Sequence, residues 1–226
     1  MNFTRYVGDV KTIFEFRPHT LEPAAVSFST LDTALTLGAG QRKLAEDLSS
    51  YADDLKVKVV LRDNGGGAVW LEPECQLWLG LYYPSSTGFL AQDYRSELMH
   101  LGEAARTALE DIGLDNLDVV TGPDNSSMGR YICFAGRSYG EITTYGRKIL
   151  GISLRRTKSW KIYHLMLPIF ERQYKIMAAL RHLEVEATGH VDWTALEAEV
   201  PHLTDLEVIV RRSEVALVSA ISQVSI

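Results

Sequence analysis

Extended segments follow one another through the middle of this chain with one long helix among them. That order restricts the fold more than any other feature. AAVSF and TALTL, within residues 24–38, read as strands bounded by Ser, Asp and Gly. Residues 55–61 alternate toward a strand, AVWL (68–71) resumes it, and CQLWLGLYY (75–83) is a third. Between residues 93 and 113, Leu98, Leu101, Ala104, Ala105, Leu109 and Ile112 fall on one face of a helix that Gly113 stops. LDVVT (117–121) leads into a turn at Gly122-Pro123-Asp124-Asn125. Residues 131–168, rich in Tyr, Ile, Thr and Phe and punctuated by glycines, read as an antiparallel meander. Shorter helices are predicted over 42–52, 171–183 and 203–221, the last two joined by a loop around Gly189, and residues 1–23 read as irregular around Pro18 and Pro23. Strands in the middle and helices at the end predict an α+β domain, not alternating βαβ units.

Composition removes several classes of function. A formal net charge of −6 argues against a general nucleic-acid binder. Two cysteines, Cys75 and Cys133, make neither a disulfide framework nor a metal pattern, so a reducing compartment fits and no metal site is expected. No stretch approaches the ~18 apolar residues of a membrane span, and the N-terminus does not read as a signal peptide. These observations predict one cytoplasmic domain over residues 1–226, with no membrane partner.

Three features could carry chemistry. The first is Arg62-Asp63-Asn64-Gly65-Gly66-Gly67-Ala68-Val69, between two predicted strands. Three glycines in a row suit backbone that must take positive φ or approach a ligand closely, so the loop is either an anion cradle or a glycine-rich hairpin turn. It is not a Walker loop, because no Lys-Ser/Thr follows, and not a dinucleotide fingerprint. The second is a charge asymmetry: residues 142–170 contain no Asp or Glu, yet hold Arg147, Lys148, Arg155, Arg156, Lys158 and Lys161. That reads as a positive field for a carboxylate or phosphate, or as a solvated sheet face. Lys148 precedes apolar Ile149, Leu150 and Ile152, so it is expected to be partly drawn into the strand and partly exposed for an anion. The nearby Tyr145, Trp160 and Tyr163 suit packing better than base stacking.

The third feature is Cys133 in Tyr131-Ile132-Cys133-Phe134, a small core residue or a nucleophile if cations surround it. His164 alone among the histidines lies in the candidate region. Gly136-Arg137-Ser138-Tyr139-Gly140 fits the Gly-x-Ser-x-Gly pattern of an esterase elbow, but the helix that must follow is missing and a hairpin turn is the better reading.

Taken in order, Arg62…Gly65-Gly66-Gly67-Ala68-Val69-Trp70 and Gly146-Arg147-Lys148-Ile149-Leu150-Gly151-Ile152-Ser153 resemble the lipoate–protein ligase family, which carries an Arg-x-x-Gly-Gly-Gly-Ala-Val loop and a Gly-x-Lys-x-x-Gly strand. Cys133-Phe134-Ala135-Gly136, Gly140-Glu141 and Gly151-Ile152-Ser153-Leu154-Arg155-Arg156-Thr157 look like its actinobacterial branch. The resemblance covers about residues 25–185, with 186–226 a helical extension. It implies the catalytic-domain fold shared with biotin–protein ligases, a mixed, largely antiparallel sheet with flanking helices. It also implies lipoate or octanoate as substrate, ATP and Mg²⁺ if an acyl-adenylate forms, and transfer to a lysine of a lipoyl carrier domain. That carrier would be of the 2-oxoacid dehydrogenase E2 or glycine cleavage H protein type.

On this resemblance, Lys148 holds the acyl carboxylate and adenylate phosphate. Arg62, Asn64, Gly65, Gly66, Gly67, Ala68 and Val69 border the substrate and nucleotide, with Gly146, Gly151, Ile152, Ser153 and His164. The family's paired Arg is Leu61-Arg62 here, its Ser before the glycines is Asn64, and its His-Asp after the loop is Leu71-Glu72. Because the family's accessory domain is not evident, a separate accessory chain is a further implied partner. An ATP-dependent ligase is the first expectation, with Cys133 as packing. An ATP-independent octanoyltransferase using Cys133 through a thioester is the second, and a non-catalytic lipoate-binding paralogue the third.

Overall fold

A computed structural model describes residues 1–50, 56–86, 93–124, 126–181, 193–199 and 206–224. Among these described residues, ten strands form two sheets. The larger has the order β1-β2-β6-β10-β9-β8-β7, with β1 Asn2–Gly8, β2 Ala24–Thr30, β6 Gln76–Pro84, β10 Trp160–Pro168, β9 Arg147–Arg156, β8 Ile142–Thr144 and β7 Leu117–Val119. Within this larger sheet, among the described residues, only β1 and β2 pair in parallel and every other neighbour is antiparallel. The smaller sheet runs β4-β3-β5, with β3 Ala34–Leu37 between β4 Lys58–Leu61 and β5 Val69–Leu71.

The uninterrupted apolar run of β6 is explained by burial on both faces. On one face Leu79, Leu81, Leu165 and Leu167 pack under helix α3 (Tyr94–Asp111) and helix α6 (Leu206–Val224). On the other, Phe28, Trp78, Tyr82, Ile162 and Met166 meet helix α1 (Val10–Glu15) and the small sheet through Val69 and Leu71. The small sheet is backed in turn by helix α2 (Arg42–Ser49) and helix α4 (Tyr174–Arg181), through Leu37, Leu48, Ile176 and Leu180. A one-turn helix, α5 (Leu196–Glu199), follows. Asp93 caps α3 by accepting from the backbone N–H of Arg95 and Ser96 at 2.8 and 3.0 Å.

The predicted α+β class, the mixed sheet and the helix over 93–113 agree with this architecture. Two expectations need correction. Residues 1–23 hold β1 and α1, whose Asp9 cap accepts from Thr12 N at 3.0 Å; alternation there is weak because β1 is an exposed edge strand. The predicted meander over 131–168 begins only at β8, Ile142; before it, Cys133–Ala135 forms a 3₁₀ turn, following another at Met128–Arg130. Of the predicted helices, residues 51–52, 182–183 and 203–205 lie outside the described residues, as do Leu55, Asn125 and the loop around Gly189. Among the described residues no helix is long and apolar enough to cross a membrane.

Candidate active site

The glycine loop is a crossover, not a hairpin. Strands β4 and β5 lie on opposite edges of β3, so residues 62–68 must pass over the end of that strand. Arg62, 5% exposed, frames the passage: its guanidinium donates to Thr36 Oγ1 at 3.2 Å, Gly65 O at 3.2 Å and Gly67 O at 2.7 Å. Arg62 therefore organises the loop from behind. Gly66 takes φ +99°, which a β-branched residue adopts only with strain. A Cβ on Gly67 would stand 2.6 Å from the backbone N of Cys133. That closeness lets Ala68 clasp the next segment, its N–H reaching Tyr131 O at 2.6 Å and its carbonyl accepting from Cys133 N at 2.9 Å. The loop's own backbone thus sets the position of Cys133.

Lys148 arrives by a β-bulge. Thr143 pairs with Lys148 and Ile142 with Leu150, leaving Ile149 as an extra residue on β9. Simple alternation would place Lys148 beside Leu150 and Ile152 under α3; the bulge turns it to the other face. There it is 1% exposed, correcting the expectation of a partly exposed side chain. Its ammonium donates to Glu141 Oε1 at 2.7 Å, Cys133 O at 2.8 Å and Gly136 O at 3.0 Å, and stands 5.1 Å from the Phe134 ring centre. Those three acceptors match its three protons. Burial disfavours the ammonium, but the Glu141 carboxylate outweighs that and holds Lys148 above its ordinary pKa. Burial pushes the Glu141 carboxyl upward despite the lysine. Glu141 Oε2 also accepts from Ser138 N at 2.8 Å. The Ser138 motif runs directly into β8, so no nucleophile elbow exists.

These groups line one cavity of about 590 Å³. Phe14, Val69, Leu71, Trp78, Phe134 and Met166 supply its apolar wall, and exposed Asp124 and Arg130 stand at its rim. Of the residues anticipated from sequence, Arg62, Asn64, Gly65, Gly66, Gly67, Val69, Cys133, Lys148, Gly151, Ile152, Ser153 and His164 line it. Two do not. Ala68 is sealed beneath the loop, and Gly146, with φ +75° after Tyr145 at φ +46°, is the two-residue turn joining β8 to β9. Asn64 Nδ2 donates to Ser153 Oγ at 2.7 Å. His164 Nδ1 accepts from Trp78 Nε1 at 2.9 Å. Burial, then the charges of Arg17, Arg62 and Arg155, hold its pKa down to about 3, so the ring is neutral.

The positive field expected over residues 142–170 is largely cancelled by acids distant in sequence. Arg147 pairs with Glu199 at 2.6 Å and Arg155 with Asp63 at 2.9 Å. Arg156 and Lys161 both pair with Glu97, at 2.8 and 2.5 Å. Trp160 and Tyr163 are buried, which removes them as a base-stacking surface. Glu141 went unassigned in the sequence although it stands immediately before the acid-free stretch; a buried lysine beyond it was the available signal. Trp78, Phe14 and Met166 could be found only from the fold.

A family model of the lipoyl protein ligase A/B catalytic domain matches residues 11–206. The chain belongs to that family. The octanoyltransferase LipM of Carboxydothermus hydrogenoformans is 26% identical over 154 residues, 67% of this chain and 55% of the relative; the chain spans about half the length of that curated relative. Among solved structures, a lipoate-protein ligase A bound with ATP superposes at TM-score 0.68 with 16% identity, covering 99% of this chain and 84% of that one. A bi-partite lipoate protein ligase studied with its E2 lipoyl domain, from Thermoplasma acidophilum, gives 0.63 with 15% identity, covering 99% and 82%. The fold of the lipoyl ligase family is therefore established for this chain, and it stands among lipoate ligases and lipoyl or octanoyl transferases.

Proposed function

We propose that this lipoyl ligase-family chain transfers an octanoyl or lipoyl group to a lysine of a lipoyl carrier domain through a thioester on Cys133. One observation carries the reading: the Cys133 thiol, half-buried, opens onto the same cavity as Lys148 and the glycine loop. A Cβ on Gly66 would lie 3.7 Å from its sulfur. A thiol serving only as packing would be sealed from that cavity. The Arg62 and Lys148 cations both reach this sulfur electrostatically, so negative charge developing there or on the acyl oxygen lies in their field.

In the first half-reaction the Cys133 thiol gives up its proton as its sulfur attacks the carbonyl of an acyl-carrier thioester; the bond between that carbonyl and the carrier sulfur breaks, and the carrier thiol leaves with the proton Cys133 gave up. In the second, the neutral amine of a carrier-domain lysine attacks the Cys133 thioester. The amine loses one proton, and the Cys133 thiol is restored. Lys148 anchors the carbonyls of Cys133 and Gly136, holding the nucleophile's turn in place while the acyl chain occupies the apolar wall. The 26% identical octanoyltransferase supports this reading.

The ATP-dependent route is the second reading, favoured by Arg130 and Arg137 lining the same cavity near its rim. There Arg130, Arg137 and the backbone of Gly65 and Gly66 would hold the nucleotide phosphates. ATP would supply activation of the acyl carboxylate. For Mg²⁺ the cavity offers Asp124; Glu141 is committed to Lys148, and among the described residues no group of three metal-binding side chains forms.

The test is incubation with octanoyl-carrier protein and a lipoyl domain, with and without ATP, followed by mass spectrometry of both chains. An ATP-independent acyl adduct on Cys133, lost in Cys133→Ser together with carrier acylation, is the expected result. Acylation that needs ATP and survives Cys133→Ser would make the chain a ligase. Tight lipoate binding without either reaction would make it a non-catalytic paralogue.

A further inference from the structure

Strand β1 leaves one edge of the large sheet open. Asn2 N–H donates to Pro23 O at 3.2 Å, and Gly8 O accepts from Leu31 N–H at 2.9 Å, so these two residues face β2. Backbone direction alternates along a strand, and Thr4 and Tyr6 therefore turn their N–H and C=O groups the same way. Phe3, Arg5 and Val7 turn theirs outward, where they find no partner among the described residues. Side chains alternate between the two faces. Tyr6 packs on Phe16 and Phe28, on the α1 face. Phe3, Arg5 and Val7 lie on the other, where Arg5 meets Glu214 of α6 at 2.5 Å.

Edge strands are ordinarily protected by lysine, proline or a bulge. β1 keeps unbroken register with β2 and carries none of these. Its one charge, Arg5, is drawn aside to Glu214. Exposed apolar side chains gather there instead: Phe3, Val7 at 59%, Leu31 beside Gly8, and Val215 next to Glu214. Val208, also exposed, lies two turns before Val215 on the same side of α6.

This edge is complementary to itself. In an antiparallel pair of β1 strands centred on Arg5, the outward groups of Phe3, Arg5 and Val7 satisfy one another completely; any other register leaves some unpaired. Phe3 then stands opposite the partner's Val7, and symmetry makes that contact twice. Arg5 faces the partner's Arg5, but each keeps its own Glu214, so cations and carboxylates balance at the axis. An axis perpendicular to the sheet sets both α6 helices on one face, across from each other.

We propose that β1 pairs with β1 of a second copy of this chain, joining the two large sheets into one about a two-fold axis at Arg5. A contact built on one seven-residue strand lies at the small end of specific interfaces, so the dissociation constant is about 10 µM.

Sedimentation velocity of the full chain between about 1 and 200 µM tests this. The 25.3 kDa monomer should give way to a species of twice that mass as concentration rises. Val7→Pro removes an N–H that β2 does not use, and should raise the dissociation constant at least about tenfold. Val7→Lys, which keeps every backbone group, should do the same and carries the test if the proline variant fails to fold by circular dichroism. Cysteine cross-linking reads the register. Opposite Cα atoms lie about 5.5 Å apart, within disulfide reach, so oxidised Arg5→Cys should link to itself, while Phe3→Cys, which faces Val7, should not. A chain that stays monomeric leaves this edge to an extended segment of another protein and overturns the inference. A dimer that survives both Val7 substitutions, or that links through Phe3→Cys as readily as through Arg5→Cys, overturns it equally.

Discussion

Glu97 and Glu141 are both buried carboxylates paired to lysine, and they do opposite work. Glu97, at the start of α3, collects Lys161 at 2.5 Å, Arg156 at 2.8 Å and the Tyr163 hydroxyl at 2.9 Å. Burial works against its ionised form, but these donors overcome it and hold its pKa below the ordinary carboxylate range. Its Arg156 partner is 49% exposed, so the cluster reaches water. Glu141 and Lys148 are enclosed together, and burial pushes the Glu141 carboxyl upward. An ion pair that keeps contact with solvent fastens a helix to a sheet. One that is wholly enclosed stands where charge is wanted in a dry site.

The largest effect expected from that contrast is at Lys148. Lys148→Ala strands the Glu141 carboxylate in the interior and should cost about 3–5 kcal/mol in denaturant unfolding, together with carrier acylation. A variant of near wild-type stability would show that the pair is not enclosed. Glu97→Ala should cost less, about 2 kcal/mol, because its cations can turn outward. Its acylation rate should stay within about threefold of wild type; a larger loss would erase the functional distinction between the two carboxylates.

Acid titration sharpens the comparison through sign. His164 has a folded pKa of about 3, below its unfolded value near 6.5, so the unfolded chain takes up a proton first. Stability should fall by about 1.4 kcal/mol per pH unit once pH drops below about 6.5. His164→Phe should flatten that slope in stability measured between pH 6.5 and 4.5. Glu97, shifted downward, contributes stability that is lost only as pH falls below the ordinary carboxylate range, so Glu97→Ala should leave the slope in this window unchanged. The smallest effect belongs to Arg147, whose pairing with Glu199 is 44% exposed on the arginine side. Arg147→Ala should change stability by about 0.5 kcal/mol and leave acylation intact; a strong loss of acylation would restore the anion-attracting role that the sequence suggested.

Strand alternation and the α3 stripe revealed the α+β class because long, doubly buried or one-faced elements carry strong periodicity. The glycine loop and Lys148 were legible because three adjacent glycines and a lysine among apolar residues are costly unless the fold uses them. What escaped was whatever depends on contacts across the chain. One inserted residue, Ile149, decides which face Lys148 occupies, and no local pattern announces it. The cationic stretch looked unpaired because Glu97, Glu199 and Asp63 reach it from three other elements. Strand β1 was invisible because an exposed edge needs no alternation.

The hydrogen bond from Trp78 to His164 gives the protein its own optical probe. Trp78 lines the cavity, with its indole N–H held in a fixed polar contact. A ligand that settles against His164 changes the polarity around that ring. Occupancy should therefore be readable as a change in tryptophan emission, without a label. Single replacement of Trp78 by Phe, with Trp70, Trp160 and Trp193 left in place, isolates the signal.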